Sequence, residues 1–202
     1  MSHAFADVAF TPAVQALQQQ HGSRAQYARM QARPDSHHML GPEEVDYLAN
    51  ADSFYMATVS ETGWPYVQHR GGPRGFLKVL SPTELAFADF PGNLQYITAG
   101  NATQNDKASI IVMDYVHQRR LKLLGRLRFV PAGEADENVL RKVELSGYSA
   151  RVERVALIEV VGFDWNCPQH ITQRFTAAEV EAASLPLRQR VAELEAKLRA
   201  AS

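Results

Sequence analysis

One run of the sequence, residues 68–73, combines a cationic side chain with a backbone that a ligand can approach closely. Arg70 offers a planar guanidinium, which matches the oxygens of a phosphate or a carboxylate. Two glycines follow it directly, and the lack of a Cβ lets a ligand or another backbone come near. A bulged strand with a solvated arginine is the alternative. The candidate ligand residues of this run are Gln68, His69, Arg70 and Gly71.

Two further groups have the chemistry to hold an anion. Arg119, Arg120 and Lys122 place three cations within four residues, where they repel one another unless an anion lies between them. An ordinary solvent-facing strand is the alternative. Asn93 and Gln95 follow a Pro-Gly break, and a helix that begins there would point free N–H groups at a ligand. The alternative is an ordinary helix N-terminus that is capped by its own side chains and binds no ligand.

A fourth stretch, residues 165–174, is dense in polar and aromatic side chains directly after an apolar strand. Loops beyond strand ends often carry binding residues, and a tryptophan ring can stack on a ligand ring. Packing alone is the alternative. Cys167 and His170 have a spacing at which a nucleophile and a base can meet, but no orienting acid follows, so we expect no covalent catalysis. The candidate ligand residues are Trp165, Asn166, Gln169, His170 and Arg174.

The composition excludes several classes of protein. The chain has 202 residues with 21 basic and 22 acidic side chains, and its net charge of −1 argues against a dedicated nucleic-acid binder. Its single cysteine excludes an internal disulfide framework, and His37-His38 lacks a second cluster with ligand spacing, so we expect no metal site. No apolar stretch approaches the ~18 residues that span a membrane. The first ten residues lack a basic signal-peptide region. We therefore expect a soluble cytoplasmic protein without a nucleic-acid or membrane partner.

Helical segments are predicted on both sides of a strand-rich region and within it. Thr11 and Pro12 suit the start of the first segment, and Thr176 with Glu179 forms a capping-box pattern at the start of the tail. The predicted helices cover residues 12–32, 41–50, 93–101, 134–146 and the tail from 176. The tail carries a 4-3-4 apolar spacing, typical of a seam that packs on the chain's own body or on a partner helix, at Leu187, Val191, Leu194 and Leu198.

The strand-rich region predicts a small barrel. Residues 76–80 are predicted to continue the strand at 65–70 after a glycine-rich interruption, which makes six strands in all. In the clearest of them, 120–129, the period of two places leucines inward and a cationic row outward. Six antiparallel strands suit a closed barrel, which removes exposed edges. The predicted strands cover residues 53–59, 65–70, 84–88, 108–114, 120–129 and 155–163.

Six runs in order resemble the pyridoxamine 5′-phosphate oxidase-like FMN-binding split-barrel proteins, and look closest to the branch known only as related to that oxidase. Each run alone is weak, but the ordered set is fairly specific and extends from about Gly41 to Arg174. The resemblance implies an α+β, mainly β fold: a six-stranded antiparallel split barrel with N- and C-terminal helical extensions. It divides the chain into an N-terminal helix and linker (1–40), an FMN-binding domain (41–175) and a helical tail (176–202). The runs are residues 59–65, 68–73, 75–80, 87–93, 120–125 and 165–170.

The resemblance also implies a homodimer with FMN at its interface. The phosphate and the ribityl chain would lie near Arg70, Lys78, Asn93 and Gln95. Arg120 and Lys122 match a strand that lies near the flavin in relatives. The partner subunit would supply Trp165, Asn166, Gln169, His170 and Arg174. The chain departs from the oxidase itself where residues 93–95 replace a Ser-Arg-Lys set, and where it lacks the terminal Arg-Leu-His-Asp-Arg segment that grips the substrate phosphate.

The function that the resemblance implies is an FMN-dependent oxidoreductase, in which the cofactor supplies the redox chemistry and the protein binds and tunes it. The sequence names no substrate, no electron donor and no catalytic residue. Two alternatives stay open at this point. The protein is a non-catalytic flavin carrier or sensor, or the same barrel binds another cofactor such as haem or a deazaflavin.

Overall fold

A computed structural model describes residues 3–33, 37–145, 147–148, 150–165 and 167–201. It divides the chain into two compact units. The first contains Met1–Met113 and Arg120–Cys167, and the second contains Asp114–Arg119 and Pro168–Ser202.

The described residues form seven strands in a single sheet, in the order β2-β1-β5-β6-β7-β4-β3. The pairs β1–β2, β1–β5, β3–β4, β4–β7 and β6–β7 are antiparallel. The strands are β1 (Ser53–Val59), β2 (Pro65–Gly71), β3 (Lys78–Ser81), β4 (Glu84–Asp89), β5 (Lys107–Asp114), β6 (Arg119–Pro131) and β7 (Arg154–Trp165).

The sheet curls on itself, because side chains from distant strands meet. β2 and β4 are first and sixth in the order, so in a flat sheet they would lie about 24 Å apart. Yet Arg70 Nη1 on β2 donates to Asp89 Oδ1 on β4 at 2.8 Å. The rings of Phe54 on β1 and Phe87 on β4 have centroids 5.4 Å apart. This curvature encloses the main core, and the predicted mainly β class with helices at both ends is confirmed.

The strand count differs from the prediction by one. Residues 76–80 do not continue β2: the strand that begins at Lys78 is β3, which pairs with β4 at the opposite end of the sheet order. The physical reason is non-local, because β3 is held by β4, which in turn pairs with β7 about seventy residues further along the chain. The inward face of β6 follows the prediction, with Leu121, Leu123 and Leu127 almost fully buried.

Seven helices lie among the described residues, and three of the predicted ones have clearly different bounds. The helix predicted at 134–146 covers only Glu137–Val143. The segment 12–32 is two helices, because Gly22 adopts a φ of +75° between them. The helix predicted at 93–101 begins at Ile97, four residues later. The helices are α1 (Ala4–Ala9), α2 (Pro12–Gln20), α3 (Arg24–Gln31), α4 (Pro42–Ala49), α5 (Ile97–Gln104), α6 (Glu137–Val143) and α7 (Ala177–Ala201).

Helix α1, which the sequence does not predict, packs against β7 at a glycine. A Cβ on Gly162 would lie 2.7 Å from the backbone N of Phe5, so only glycine admits this approach. His3 and His37 stack at a centroid distance of 4.2 Å beside it, and residues 34–36 of the predicted linker lie outside the described residues. The N-terminal segment is therefore attached to the sheet of the first unit.

The second unit joins the turn between β5 and β6 to the segment that precedes α7. Gln118 Nε2 donates to the carbonyl of Ile171 at 2.7 Å, and Gln173 Nε2 donates to the carbonyl of Val116 at 2.7 Å. The capping box at the start of α7 forms as predicted: Thr176 N donates to Glu179 Oε2 at 2.8 Å.

Candidate anion-binding site

A polar pocket lies where β2, β4, the start of β7 and the loop before α5 meet. On β2 the residues facing it are Tyr66, Gln68 and Arg70, because every second residue of a strand points to the same side. The loop contributes Asn93, Gln95 and Tyr96, and the first residue of β7 contributes Arg154.

Two arginines in this pocket share one buried carboxylate. Asp89 is only 2% exposed. Arg70 Nη1 donates to its Oδ1 at 2.8 Å, and Arg154 donates to its Oδ2 from Nε at 3.0 Å and from Nη2 at 2.6 Å. The three side chains together carry one net positive charge, and each guanidinium has five N–H donors, of which Asp89 takes one or two. Asp89 thus orients both arginines and leaves further N–H donors on each guanidinium, while the Glu153 carboxylate beside Tyr96 adds a second negative charge.

The loop before α5 has an unusual backbone. Leu94 and Tyr96 adopt φ values of +60° and +52°, a region that residues other than glycine rarely occupy. Asn93 Oδ1 accepts a hydrogen bond from the N–H of Gln95 at 3.2 Å, which shapes the turn. The guanidinium of Arg154 lies 4.8 Å from the centre of the Tyr96 ring, so the loop rests on the arginine pair. Such strained positions cluster at functional sites.

Tyr96 keeps its proton at neutral pH. Desolvation and the neighbouring Glu153 carboxylate raise the pKa of its phenol above the ordinary value. Its hydroxyl donates a hydrogen bond to the Glu153 carboxylate, which holds the ring in place beside the arginine pair.

Two hydrogen bonds anchor α5 to the sheet beside the pocket. Thr98 Oγ1 donates to Gln68 Oε1 at 2.7 Å, and Asn101 Nδ2 donates to Thr58 Oγ1 at 3.0 Å. Thr58 and Asn101 are buried, so breaking their bond would leave polar atoms without water. These contacts fix the position of the first turn of α5, and with it the loop.

Four of the residues predicted as ligands come together in this pocket: Gln68, Arg70, Asn93 and Gln95. Their neighbours in sequence do not join them. His69 alternates to the other face of β2, where its ring meets Tyr55 at 5.4 Å, and Gly71 lies beside that imidazole. Lys78 begins β3 and is not among the residues that line the pocket.

The cationic row on β6 is matched by acidic side chains. Lys122 Nζ lies 3.0 Å from Asp164 Oδ2 and 4.8 Å from the centre of the Phe5 ring. Arg126 pairs with Asp106 at 2.9 Å. Arg120 stands on the same outward face as Lys122, as the period of two predicts. Carboxylates thus relieve part of the repulsion along this strand, and a role of Arg120 and Lys122 beside a ligand stays a prediction.

Trp165 lies within β7, two residues beyond the predicted strand end, and is held by its own subunit. Its Nε1 donates to Glu44 Oε1 at 2.7 Å, and its ring meets Tyr47 edge-on at 4.7 Å. Asn166 lies outside the described residues.

Gln169, His170 and Arg174 belong to the second unit. His170 has a φ of +65°. Arg174 holds its guanidinium 4.7 Å from the centre of the Tyr115 ring, and its N–H donates to the Tyr115 carbonyl at 3.4 Å. Gln169 and His170 are exposed.

Sequence reasoning missed the residues that complete the pocket, namely Asp89, Tyr96 and Arg154. The sequence does contain a signal for two of them. Asp89 ends one apolar strand and Arg154 begins another, so two opposite charges stand at strand ends. Only the pairing of β4 with β7, which places these two residues opposite each other, shows that they meet.

A curled antiparallel sheet with a pair of arginines beside its edge strand defines a class of small β-barrels. Residues 40–161 match the family model described as pyridoxamine 5′-phosphate oxidase. Because this match covers more than half of the chain, the chain belongs to the pyridoxamine 5′-phosphate oxidase family. No curated protein is significantly similar to it in sequence.

Solved structures share the fold at low sequence identity. HupZ of Group A Streptococcus is 15% identical with a TM-score of 0.51, over 68% of this chain and 100% of that one. An FMN-binding protein of Syntrophomonas wolfei is 12% identical with a TM-score of 0.47, over 74% and 97%. A Clostridium acetobutylicum protein related to general stress protein 26 of B. subtilis is 11% identical with a TM-score of 0.45, over 68% and 94%.

Two structural findings bear on other kinds of site. Within the described part of the chain, no helix is long and apolar enough to cross a membrane. In that same part, no three His, Cys, Asp or Glu side chains are grouped closely enough to hold a metal ion.

Proposed function

We propose that the protein binds FMN, with the phosphate in the pocket of Arg70 and Arg154, and that it acts as an FMN-dependent oxidoreductase. The single observation that carries the proposal is the pair of arginines oriented by the buried Asp89 in a family whose resemblance implies FMN. When bound, FMN would supply electron and hydride transfer. The chain's own residues bind and orient it.

The donor set of the pocket suits a phosphate and a polyol chain. The Nε of Arg70 is buried and has no hydrogen-bond partner within the described part of the chain. A buried donor without a partner costs free energy, which a phosphate oxygen would recover. The amides of Gln68, Asn93 and Gln95 both donate and accept, as the hydroxyls of a ribityl chain require.

We further propose that the protein is a homodimer in which the second copy completes the flavin site. The outer face of β1 and β2 supports this. Tyr55 is 39% exposed and Val67 is 61% exposed on neighbouring strands, so apolar surface lies open beside an edge strand. Edge strands with exposed apolar faces are normally covered.

Titration with FMN and with riboflavin tests the phosphate assignment. Arg70→Ala and Arg154→Ala should each weaken FMN binding about 10- to 150-fold, because a charge-assisted phosphate contact contributes about 1.5–3 kcal/mol. Riboflavin binding should change little. Each variant leaves Asp89 one arginine partner, which protects the fold.

Arg126→Ala is the matched control, since Arg126 also pairs with an aspartate but lies outside the pocket. Equal affinity for FMN and riboflavin in the unaltered protein would contradict the proposal. So would an absorption spectrum of the co-purified cofactor that belongs to haem or to a deazaflavin.

A further inference from the structure

Helix α7 carries an apolar seam that one polar residue, Ser184, interrupts. It covers 25 residues, about three and a half heptads. Val191 and Leu194 are three residues apart in the middle of the seam, and the same alternating spacing continues in both directions. Written as heptads, position a holds Ala177, Ser184, Val191 and Leu198, and position d holds Val180, Leu187, Leu194 and Ala201.

The large side chains of this seam lie open to solvent. Val180 is 53% exposed, Leu187 69%, Val191 47% and Leu194 44%. An amphipathic helix obtains most of its stability from the burial of its apolar face. Four large apolar side chains in one line therefore indicate a surface that packs against another molecule.

We propose that α7 pairs with the α7 of a second copy of this chain as a parallel two-stranded coiled coil. In the central heptad the residue types favour two parallel strands, because a β-branched residue at a with leucine at d is the preference of parallel dimers. Val191 and Leu194 hold these two positions in the central heptad. The proposal goes beyond flavin binding and does not depend on it.

The flanking charges support the parallel direction. In a parallel pair, a residue at g faces the e position five residues further along the partner helix. Arg190 at g then faces Glu195 at e, and symmetry produces this attraction twice. The other described g–e pairs in the register bring no like charges together.

The antiparallel direction is less favourable. It places g against g and e against e. With the same central residues in contact, Arg190 then faces Lys197, a repulsion that occurs twice. Arg188 faces Glu195, an attraction that also occurs twice. The two contributions offset each other, whereas the parallel direction has the Arg190–Glu195 attraction with no opposing repulsion among the described g–e pairs. The ion pair that Arg190 forms with Glu193 inside one helix is solvent-exposed, so it is easily exchanged for a contact across the pair.

Pro186 does not obstruct this seam. It falls at position c, on the outer side of the helix, and α7 runs through it without a break. Ser184, at position a two residues earlier, is the single small polar residue in the seam, and a polar a position specifies register at some loss of stability.

Disulfide trapping tests the arrangement directly in the full-length protein. Cys167 is the only cysteine, so Cys167→Ser provides a background without thiols. In that background, Leu194→Cys places a thiol at d, where the same residue of the partner faces it in a parallel pair. Gln189→Cys, at the outward position f, is the matched control. We expect Leu194→Cys to form a covalent dimer roughly tenfold faster than the control under mild oxidation.

Charge reversal then tests the partner contact. In the Leu194→Cys protein, Arg190→Glu alone should slow cross-linking several-fold, because it places a carboxylate at g opposite the carboxylate of Glu195 at e. Adding Glu195→Arg should restore the rate. Circular dichroism checks that every variant keeps its helix, which is expected because these positions are exposed.

Equal rates for Leu194→Cys and Gln189→Cys would overturn the proposal. So would an unchanged rate in both charge variants, or preferential cross-linking of Leu187→Cys to Leu198→Cys in a mixture, which indicates antiparallel helices. The trapping is carried out with and without FMN. An absence of FMN binding would contradict the proposed function but would leave the cross-linking result unaffected.

Discussion

At the scale of single residues, the central feature is a carboxylate that holds two cations together. Without Asp89, Arg70 and Arg154 would repel each other in a partly buried place. With it, both guanidiniums lie in one pocket with donors directed away from the carboxylate. A buried ion pair is weak evidence for stability, but removing one partner from it is costly. Asp89 therefore supports the fold and the site together.

Asp89→Asn should destabilise the protein by about 3–5 kcal/mol. The substitution leaves the two largely buried guanidinium groups of Arg70 and Arg154 with only a neutral partner. Urea unfolding measures the loss. Asp106→Asn, which alters the exposed pair with Arg126, should cost under about 1 kcal/mol. Millimolar phosphate should restore part of the stability of Asp89→Asn and none of that of Asp106→Asn. Similar losses in the two variants would contradict this account of Asp89.

At the scale of elements, the docking of α1 depends on one position of β7. The backbone of Phe5 lies so close to Gly162 that a methyl group would meet it at 2.7 Å. Since the obstacle is backbone rather than a flexible side chain, the helix itself would have to move. Phe5 also covers Lys122, so a displaced α1 would expose that cation.

Gly162→Ala should therefore release α1 and destabilise the protein by about 1–3 kcal/mol. Hydrogen exchange should rise for residues 4–9 and stay unchanged for β1 and β6. Gly133→Ala is the matched control, because no heavy atom lies within 4 Å of its added Cβ and its φ is not positive. If α1 keeps its protection in Gly162→Ala, the close contact does not determine its position.

The elements that the sequence predicts well are those whose pattern is local. Strand β6 is visible because every second side chain faces the core, and the α7 capping box needs only Thr176 and Glu179. The late start of α5 is not visible, because Leu94 and Tyr96 adopt positive φ values that neither residue type suggests. The pairing of β4 with β7 joins residues about 65 or more positions apart, which no local pattern reports. It brings Asp89 to Arg154, and it places the local β3–β4 hairpin at the far end of the sheet order.

The site, too, can be predicted only in part, because its residues depend on strand faces and strand ends that the local sequence does not determine. Gln68 and Arg70 were predicted with His69, yet a strand separates neighbours onto opposite faces. The sequence predicts Trp165 as a ligand residue because it follows an apolar strand, but that strand extends to it and Glu44 accepts a hydrogen bond from its indole N–H. Whether Trp165 also contacts a flavin held by a partner stays a prediction.

At the scale of the whole molecule, the sheet and the terminal helix have different roles. The first unit has its own core, in which Phe54, Leu123 and Ile158 are almost fully buried. Helix α7 belongs to the second unit and leaves its large apolar side chains exposed. Removing α7 therefore exposes little buried area in the monomer. It does remove the apolar seam through which two copies are proposed to associate.

A chain that ends at residue 175 should thus keep the stability of the sheet. We expect its free energy of unfolding to differ by under about 1 kcal/mol from that of the full chain, because surface changes away from packed groups have small effects. Urea unfolding at low and high protein concentration measures this. The full chain should become more stable as concentration rises, since association stabilises the folded state, and the shortened chain should show less of this dependence. A loss above about 2 kcal/mol at low concentration would show that α7 packs on its own chain.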